Sequence, residues 1–242
     1  ESSNIVSYWK MGDHPTDAVS TDADDNKVVD MQGVSNLTPQ NMEEADIQTV
    51  AAPTTFSNTK SITFDGIDEY IQIADHDDFT FSNGTSADSA FSIVFWAQFN
   101  DATSSGVCGK GYAGLGGEWA VFTDTSDKIT FRLGADVIEW IGNITDDAIT
   151  DDESEWHFYT VTYDGSATNA GMLIYRDGTL MATTASNFGS YDYMRNSANA
   201  VDIGRNWGGA FGDYYMDGNL DEVGIFSKVL PRIINPSTCC TV

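Results

Sequence analysis

Apolar and polar positions alternate along this chain with a period of two, in short runs broken by turn residues. The clearest run is Phe91–Phe99, FSIVFWAQF, where Phe91, Ile93, Phe95, Ala97 and Phe99 share one face and Ser92, Val94, Trp96 and Gln98 share the other. Both faces are substantially apolar, which predicts a central strand covered at least in part on both sides. Trp119–Thr123 and Lys128–Leu133 flank Asp124–Asp127 at hairpin spacing, and His157–Tyr163 follows the acidic loop Thr150–Glu155. Gly171–Arg176 and Thr179–Thr184 flank Asp177-Gly178, a two-residue loop of the type I′ kind. Val201–Gly204, Tyr215–Leu220 and Val223–Phe226 close the series. Amphipathic helical runs are nearly absent, and the longest candidate, Asn41–Val50, has too few turns to organise a fold. Many short strands joined by turns predict an all-β chain, an antiparallel sandwich or barrel. No second composition regime interrupts it, so one domain is expected over residues 1–242, with 230–242 as a tail.

Two strand segments carry carboxylates where strands disfavour them. Ser61–Ile73 reads SITFDGIDEYIQI, and Asp217–Phe226 reads DGNLDEVGIF. Turn chemistry accounts for Asp65-Gly66 and Asp217-Gly218. It does not account for Asp68-Glu69 or Asp221-Glu222, which follow an apolar residue and lead directly into strand.

Charge narrows the function class. The 37 acidic residues outnumber 11 basic ones, for a formal charge of −26. Such a surface repels nucleic-acid phosphates and anionic lipid heads, because it has no basic patch to release counterions. It serves either as a solubilising coat or as an adaptation to a saline, calcium-rich medium. Three cysteines make no closed framework: Cys108 reads as a small apolar residue at a strand start, and the adjacent Cys239 and Cys240 as part of the tail. No apolar run reaches the length of a transmembrane helix. A signal peptide and an initiator Met are both missing, as expected of a processed chain or a fragment.

The segment order FDGIDEYIQI, FSIVFWAQF, GKGYAGLGGEWAVF, KITFRLG, SEWHFYTVTYDG, GMLIYRDGTLMATT, VDIGRN and DGNLDEVGIFSKVL resembles a laminin-G-like domain of the concanavalin A-like lectin/glucanase superfamily. NIVSYWKMGD resembles the first strand of the same family, so the likeness runs over residues 4 to 230. It implies a jelly roll of two facing antiparallel sheets. It is specific for fold and not for function, since lectins, adhesion modules, hydrolases and structural proteins share this architecture. The resemblance further implies a calcium ion where the first and last strands meet, held by Asp65, Asp68, Asp221 and Glu222 with turn carbonyls. The alternative is a buried Glu222 held by backbone amides, with Asp65 only shaping its turn. His14, His76 and His157 are too scattered for zinc.

Glucanases of this fold carry a Glu-x-Asp-x-(x)-Glu string on one strand face. Glu44-Ala-Asp46 begins one and meets Gln48 and Thr49, while Asp151, Glu153 and Glu155 alternate within a hydrophilic loop. With no elbow, Cys-His pair or phosphate loop either, the expectation is a chain that is not an enzyme. Binding is the stronger class. Two Gly-rich aromatic loops, Gly109–Trp119 and Asn206–Tyr215, offer Tyr112, Trp207, Phe211 and Tyr214 for stacking on sugar, with Asn206 and Asp213 for its hydroxyls. Trp119 and Tyr215 lead strands and are expected in the core. The competing class is a structural or decoration part of a virion or surface filament, whose loops bind protein. The phrases GYAGLGGEWAVF and DGSATNAGMLIYRDG resemble laminin-G-like proteins of marine bacteriophages. Either way the expected partner is a glycan or a surface protein, met outside the cell or on a virion, with homo-oligomers or particle assembly multiplying weak contacts.

Overall fold

The Phe91–Phe99 pattern becomes the axis of the molecule. In a computed structural model that describes residues 4–21, 26–33, 35–111, 116–136, 138–149, 154–206 and 212–231, this run lies within the strand Phe91–Asp101. Numbering strands along the chain, the first sheet comprises β1 (Ile5–Trp9), β3 (Ile47–Gln48), β4 (Ser61–Asp65), β6 (Phe91–Asp101), β11 (His157–Tyr163), β12 (Met172–Arg176), β13 (Thr179–Leu180) and β18 (Asp217–Phe226). Its order is β13-β12-β11-β6-β18-β4-β3, with β1 also paired to β18. The second sheet comprises β2 (Thr38–Gln40), β5 (Tyr70–Ile73), β7 (Gly106–Lys110), β8 (Trp119–Thr123), β9 (Ile129–Asp136), β10 (Glu139–Thr145), β14 (Thr183–Ala185) and β15 (Val201–Ile203). Its order is β14-β10-β9-β8-β7-β15-β5-β2, and every pairing in both sheets is antiparallel. A short hairpin of β16 (Arg205–Asn206) and β17 (Tyr214–Tyr215) stands apart. The architecture is the expected β-sandwich.

Period-two alternation decides what each face of β6 does. Phe91, Ile93, Phe95, Ala97 and Phe99 enter the main core between the sheets, among Phe131, Leu133, Val121, Tyr159 and Ile225. Phe91 stacks on Phe81 at 4.2 Å and meets Phe131 and Tyr163 edge-on. Val94 and Trp96 point to the opposite face, where a second cluster forms with Phe158, Phe226, Ala52 and Leu230. Both sides of β6 are therefore covered. Trp119 is in the core as expected, whereas Tyr215 stays half-buried beside Tyr70.

Several boundaries differ from the sequence pattern. Asn41–Val50 breaks into a 3-10 turn, Glu44–Asp46, followed by β3. Asp177 and Gly178 take φ of 50° and 75°, the left-handed pair a type I′ turn requires. Beyond that turn the chain crosses from β13 in one sheet to β14 in the other, so Thr179–Thr184 is two strands. Conversely, the two runs ending at Leu220 and Phe226 join into the single strand β18, and Tyr215 falls in β17. A bulge between Asp221 and Gly224 allows this, and Glu222 sits in it at φ 51°. One edge of β18 pairs β4 up to Leu220 and β1 from Val223, so the bulge marks the change of neighbour.

Candidate functional site

Alternation in the second sheet leaves a different set of side chains outside. Val121, Phe131, Leu133, Ile141, Val201, Ile203 and Ile71 point into the core. Their neighbours Phe122, Arg132, Trp140, Asp202, Tyr70 and Gln72 therefore face outward. The β16–β17 hairpin lies across this outer face at β7. Gly106 makes that approach possible, because a Cβ there would sit 2.2 Å from the Asn206 nitrogen and 2.3 Å from the Tyr214 carbonyl oxygen.

Beside the hairpin lies a small cleft of about 150 Å³ lined by Gly111, Asn199, Ala200, Asp202 and Arg205. Arg205 organises it. Its Nε and Nη2 donate to Asp202 Oδ2 at 3.0 and 2.7 Å, and its Nη1 lies 3.7 Å from Asp213 Oδ2. The guanidinium carbon rests 3.6 Å from the centre of the Tyr70 ring, and Tyr70 and Tyr215 are 6.4 Å apart. Gln72 Nε2 donates to Asp202 Oδ1 at 3.0 Å, and the Tyr215 hydroxyl to Asp213 Oδ2 at 3.1 Å. Burial alone would lower the Arg205 pKa, but the adjacent Asp202 carboxylate holds it above its ordinary value, so the cation persists.

The opposite wall is pinned from beneath. Lys110, with no exposed surface, binds the buried Glu118 at 2.6 Å and Asp75 at 2.8 Å. Glu118 Oε1 also accepts from the Ser197 backbone N–H at 2.8 Å. Asn199 Nδ2 then donates to the Gly116 carbonyl at 2.8 Å and Ser197 Oγ at 3.0 Å. A buried ion pair of this kind fixes geometry more surely than it adds stability.

Among the residues the sequence pointed to, Asp213 neighbours this cleft through its approach to Arg205. Tyr214 is half-buried and packs on Phe122 at 6.1 Å. Asn206, within the hairpin, is 1% exposed, so it does not reach a surface ligand. Tyr112, Trp207 and Phe211 lie outside the described residues, as do Asp151, Glu153, Cys239 and Cys240. Cys108 is buried in mid-strand, and burial pushes its thiol up to about 12. Tyr70, Gln72, Asn199, Asp202 and Arg205 were not singled out, and Tyr215 was expected in the core. The signal for them was the DIGR spacing, which places Asp202 and Arg205 on either side of a turn at Gly204.

The four proposed calcium ligands are not brought together. Register sets Asp65 opposite Asp217, whereas Asp221 lies four residues further along β18, roughly 13 Å away. Asp65 is exposed, and its Oδ1 accepts from the Ile67 and Asp68 backbone N–H groups at 2.8 and 3.3 Å, so it shapes its turn. The Asp68 side chain is exposed, and its carbonyl accepts from Asn41 Nδ2. Asp221 Oδ2 instead holds the Ala52 N–H at 2.9 Å and Asn58 Nδ2 at 2.7 Å. Glu222 is buried with neither carboxylate oxygen hydrogen-bonded, and burial pushes it up to about 8. Among the described residues no three His, Cys, Asp or Glu side chains form a cation cage. These residues do not fit one calcium ion, and Glu222 is not held by amides either.

A profile of the concanavalin A-like lectin/glucanases superfamily, of laminin G type, matches residues 65–232. The chain belongs to that family. A search of curated proteins by sequence found no match. Among solved structures, the fold is similar to domain 4 of AbnA, a GH43 extracellular arabinanase from Geobacillus stearothermophilus, in complex with arabinotriose (TM-score 0.61, 14% identity, 97% of each chain covered). It is also similar to the botulinum neurotoxin serotype C1 binding domain (TM-score 0.60, 16% identity, 96% of this chain and 50% of that one). A third is the binding domain of botulinum neurotoxin DC in complex with rat synaptotagmin II (TM-score 0.60, 15% identity, 95% and 49%). The chain thus spans about half the length of the toxin binding domains. At these identities the likeness concerns the fold alone.

Proposed function

We propose that this laminin-G-like chain is a non-catalytic recognition domain that binds a glycan on the outer face of its second sheet. The observation that carries the reading is the Arg205 guanidinium laid on Tyr70 and held by Asp202 and Asp213. It fixes a donor, two carboxylates and an aromatic wall around one cleft, the combination that takes sugar hydroxyls and ring faces. That similar folds include toxin binding domains and an arabinanase domain in complex with arabinotriose supports the same class. Catalysis by a carboxylate pair would need one acid free to give a proton. Here Arg205 takes Asp202 Oδ2 and Gln72 takes Oδ1, while Asp213 Oδ2 accepts from the Tyr215 hydroxyl, so both cleft carboxylates are tied into the wall. Tyr112 follows Gly111 and Trp207 follows Asn206, so both remain proposed contacts, with Phe211.

A shallow site of this size binds weakly on its own. Display in many copies at a cell or virion surface would supply the avidity. A neutral-glycan array, with a β-glucan panel assayed for reducing sugar, tests the reading. Binding without turnover is expected, abolished by Arg205→Lys. Sugar release, or capture of a protein partner with no glycan bound, would replace it.

A further inference from the structure

The cleft is one end of a longer feature. On the same outer face, Phe188 stacks on Trp140 at 5.0 Å and 16°. The Arg132 guanidinium lies 4.9 Å from the Trp140 ring and 5.2 Å from the Phe122 ring. Phe122 is 3% exposed and meets Tyr214 at 6.1 Å, so the hairpin's half-buried Tyr214 carries the row there; Tyr215 follows and leads to Tyr70 and Arg205. Rings and guanidinium groups therefore succeed one another from β10 to β5 across six neighbouring strands. At about 4.8 Å per strand the row spans roughly 24 Å.

We infer that this row is the track of an extended, uncharged oligosaccharide lying across the strands, with Phe188 and Trp140 as a distal subsite; this rests on the glycan reading above. Two observations select that occupant. Phe188 is 52% exposed, and with Ile138 at 63% it leaves an apolar face at the far end of the row. Sugar rings present such faces for stacking, and a chain of them matches a row of spaced rings better than a terminal sugar does. The second is charge. A field of −26 opposes uronate, sulfated or sialylated chains and nucleic acids. Arg205 is already engaged by two carboxylates, so the proximal end offers an anion no free cation.

The test is calorimetric titration with linear neutral arabino- and cello-oligosaccharides, from disaccharide to hexasaccharide, plus the hits of a neutral-glycan array. Affinity for the recognised series should rise about tenfold or more with length, the equivalent of one good ring contact. Phe188→Ala, at an exposed position that leaves the core intact, should remove that gain and leave disaccharide binding unchanged. Affinity independent of length, or equal weakening of short and long chains by Phe188→Ala, would overturn the extended track while the cleft stands. No binding at any length would overturn the cleft and the track together.

Discussion

The outer faces of the two sheets are built from the same alternating pattern and end differently. On the first sheet, Val94, Trp96, Phe158 and Phe226 are sealed under Ala52 and Leu230, with Ile5 and Trp156 packed alongside. Asp221 fastens this cover through Ala52 and Asn58. On the second sheet, Trp140 and Arg132 stay half-buried and Phe188 exposed, crossed by a hairpin at β7. An aromatic residue on an outer face is thus sealed where a strap or hairpin covers it, as Trp96 and Phe122 are, and partly open where neither does, as Trp140 is. What separates them is tertiary cover, not residue type.

The largest effect should come from treating the two faces alike. Trp96, 6% exposed and 5.5 Å from Phe158, should cost about 3–5 kcal/mol on change to Ala. Trp140→Ala should cost about 1–2 kcal/mol, because its ring is only partly buried. Chemical denaturation of both variants measures the difference, and equal losses would erase the distinction between the faces.

The next effect is pH-dependent and belongs to the sealed side. Burial raises Asp221 to about 7 and Glu222 to about 8, above their ordinary 3.8 and 4.5. The folded state therefore binds protons more tightly than the unfolded state. Stability from these groups is complete below pH 4 and is lost as pH rises through 7 to 8. Unfolding free energy should fall by a few kcal/mol between pH 5 and pH 9. Glu222→Gln should flatten that slope, and an unchanged slope would remove the buried carboxyl as its cause. Should Asp221 and Glu222 nevertheless hold calcium, a chelator would lower the melting temperature, which this geometry does not predict.

Smaller still in stability is the open face. Asp213→Asn should change stability by less than about 1 kcal/mol, since Asp213 is half-exposed and 3.7 Å from Arg205. It should nevertheless weaken sugar binding, measured by titration. Unchanged affinity would take Asp213 out of the site.

The sandwich was legible because alternation in β6, β8, β11 and β12 reports burial directly. Among the strands missed were β2, β3 and β10, in the last of which Gly142 reads as a break, and β7 begins at Gly106, ahead of the Cys108 taken for a strand start. In space Gly142 lets strands meet closely, since a Cβ there would stand 2.9 Å from the Phe131 carbonyl oxygen. The site was legible only in outline. The Asn206–Tyr215 loop borders the cleft, and Asp213 lies 3.7 Å from Arg205 there. Asp202, Arg205 and Tyr70 were not legible, because their meeting depends on β15 pairing with β5, far apart in sequence. Asp65 and Asp221 failed for the same reason: both belong to the right pair of strands, and only the register shows that they lie at opposite ends of the contact.

The most direct measurement is titration of the native protein, Arg205→Lys and Trp96→Phe with the same neutral oligosaccharide, each beside a melting curve. Arg205→Lys keeps the charge facing Asp202 and loses the planar group stacked on Tyr70. Binding should be lost in Arg205→Lys while it stays folded and retained in Trp96→Phe despite some loss of stability. Retained binding in Arg205→Lys, or binding lost in Trp96→Phe while it stays folded, would contradict recognition on the open face of the second sheet.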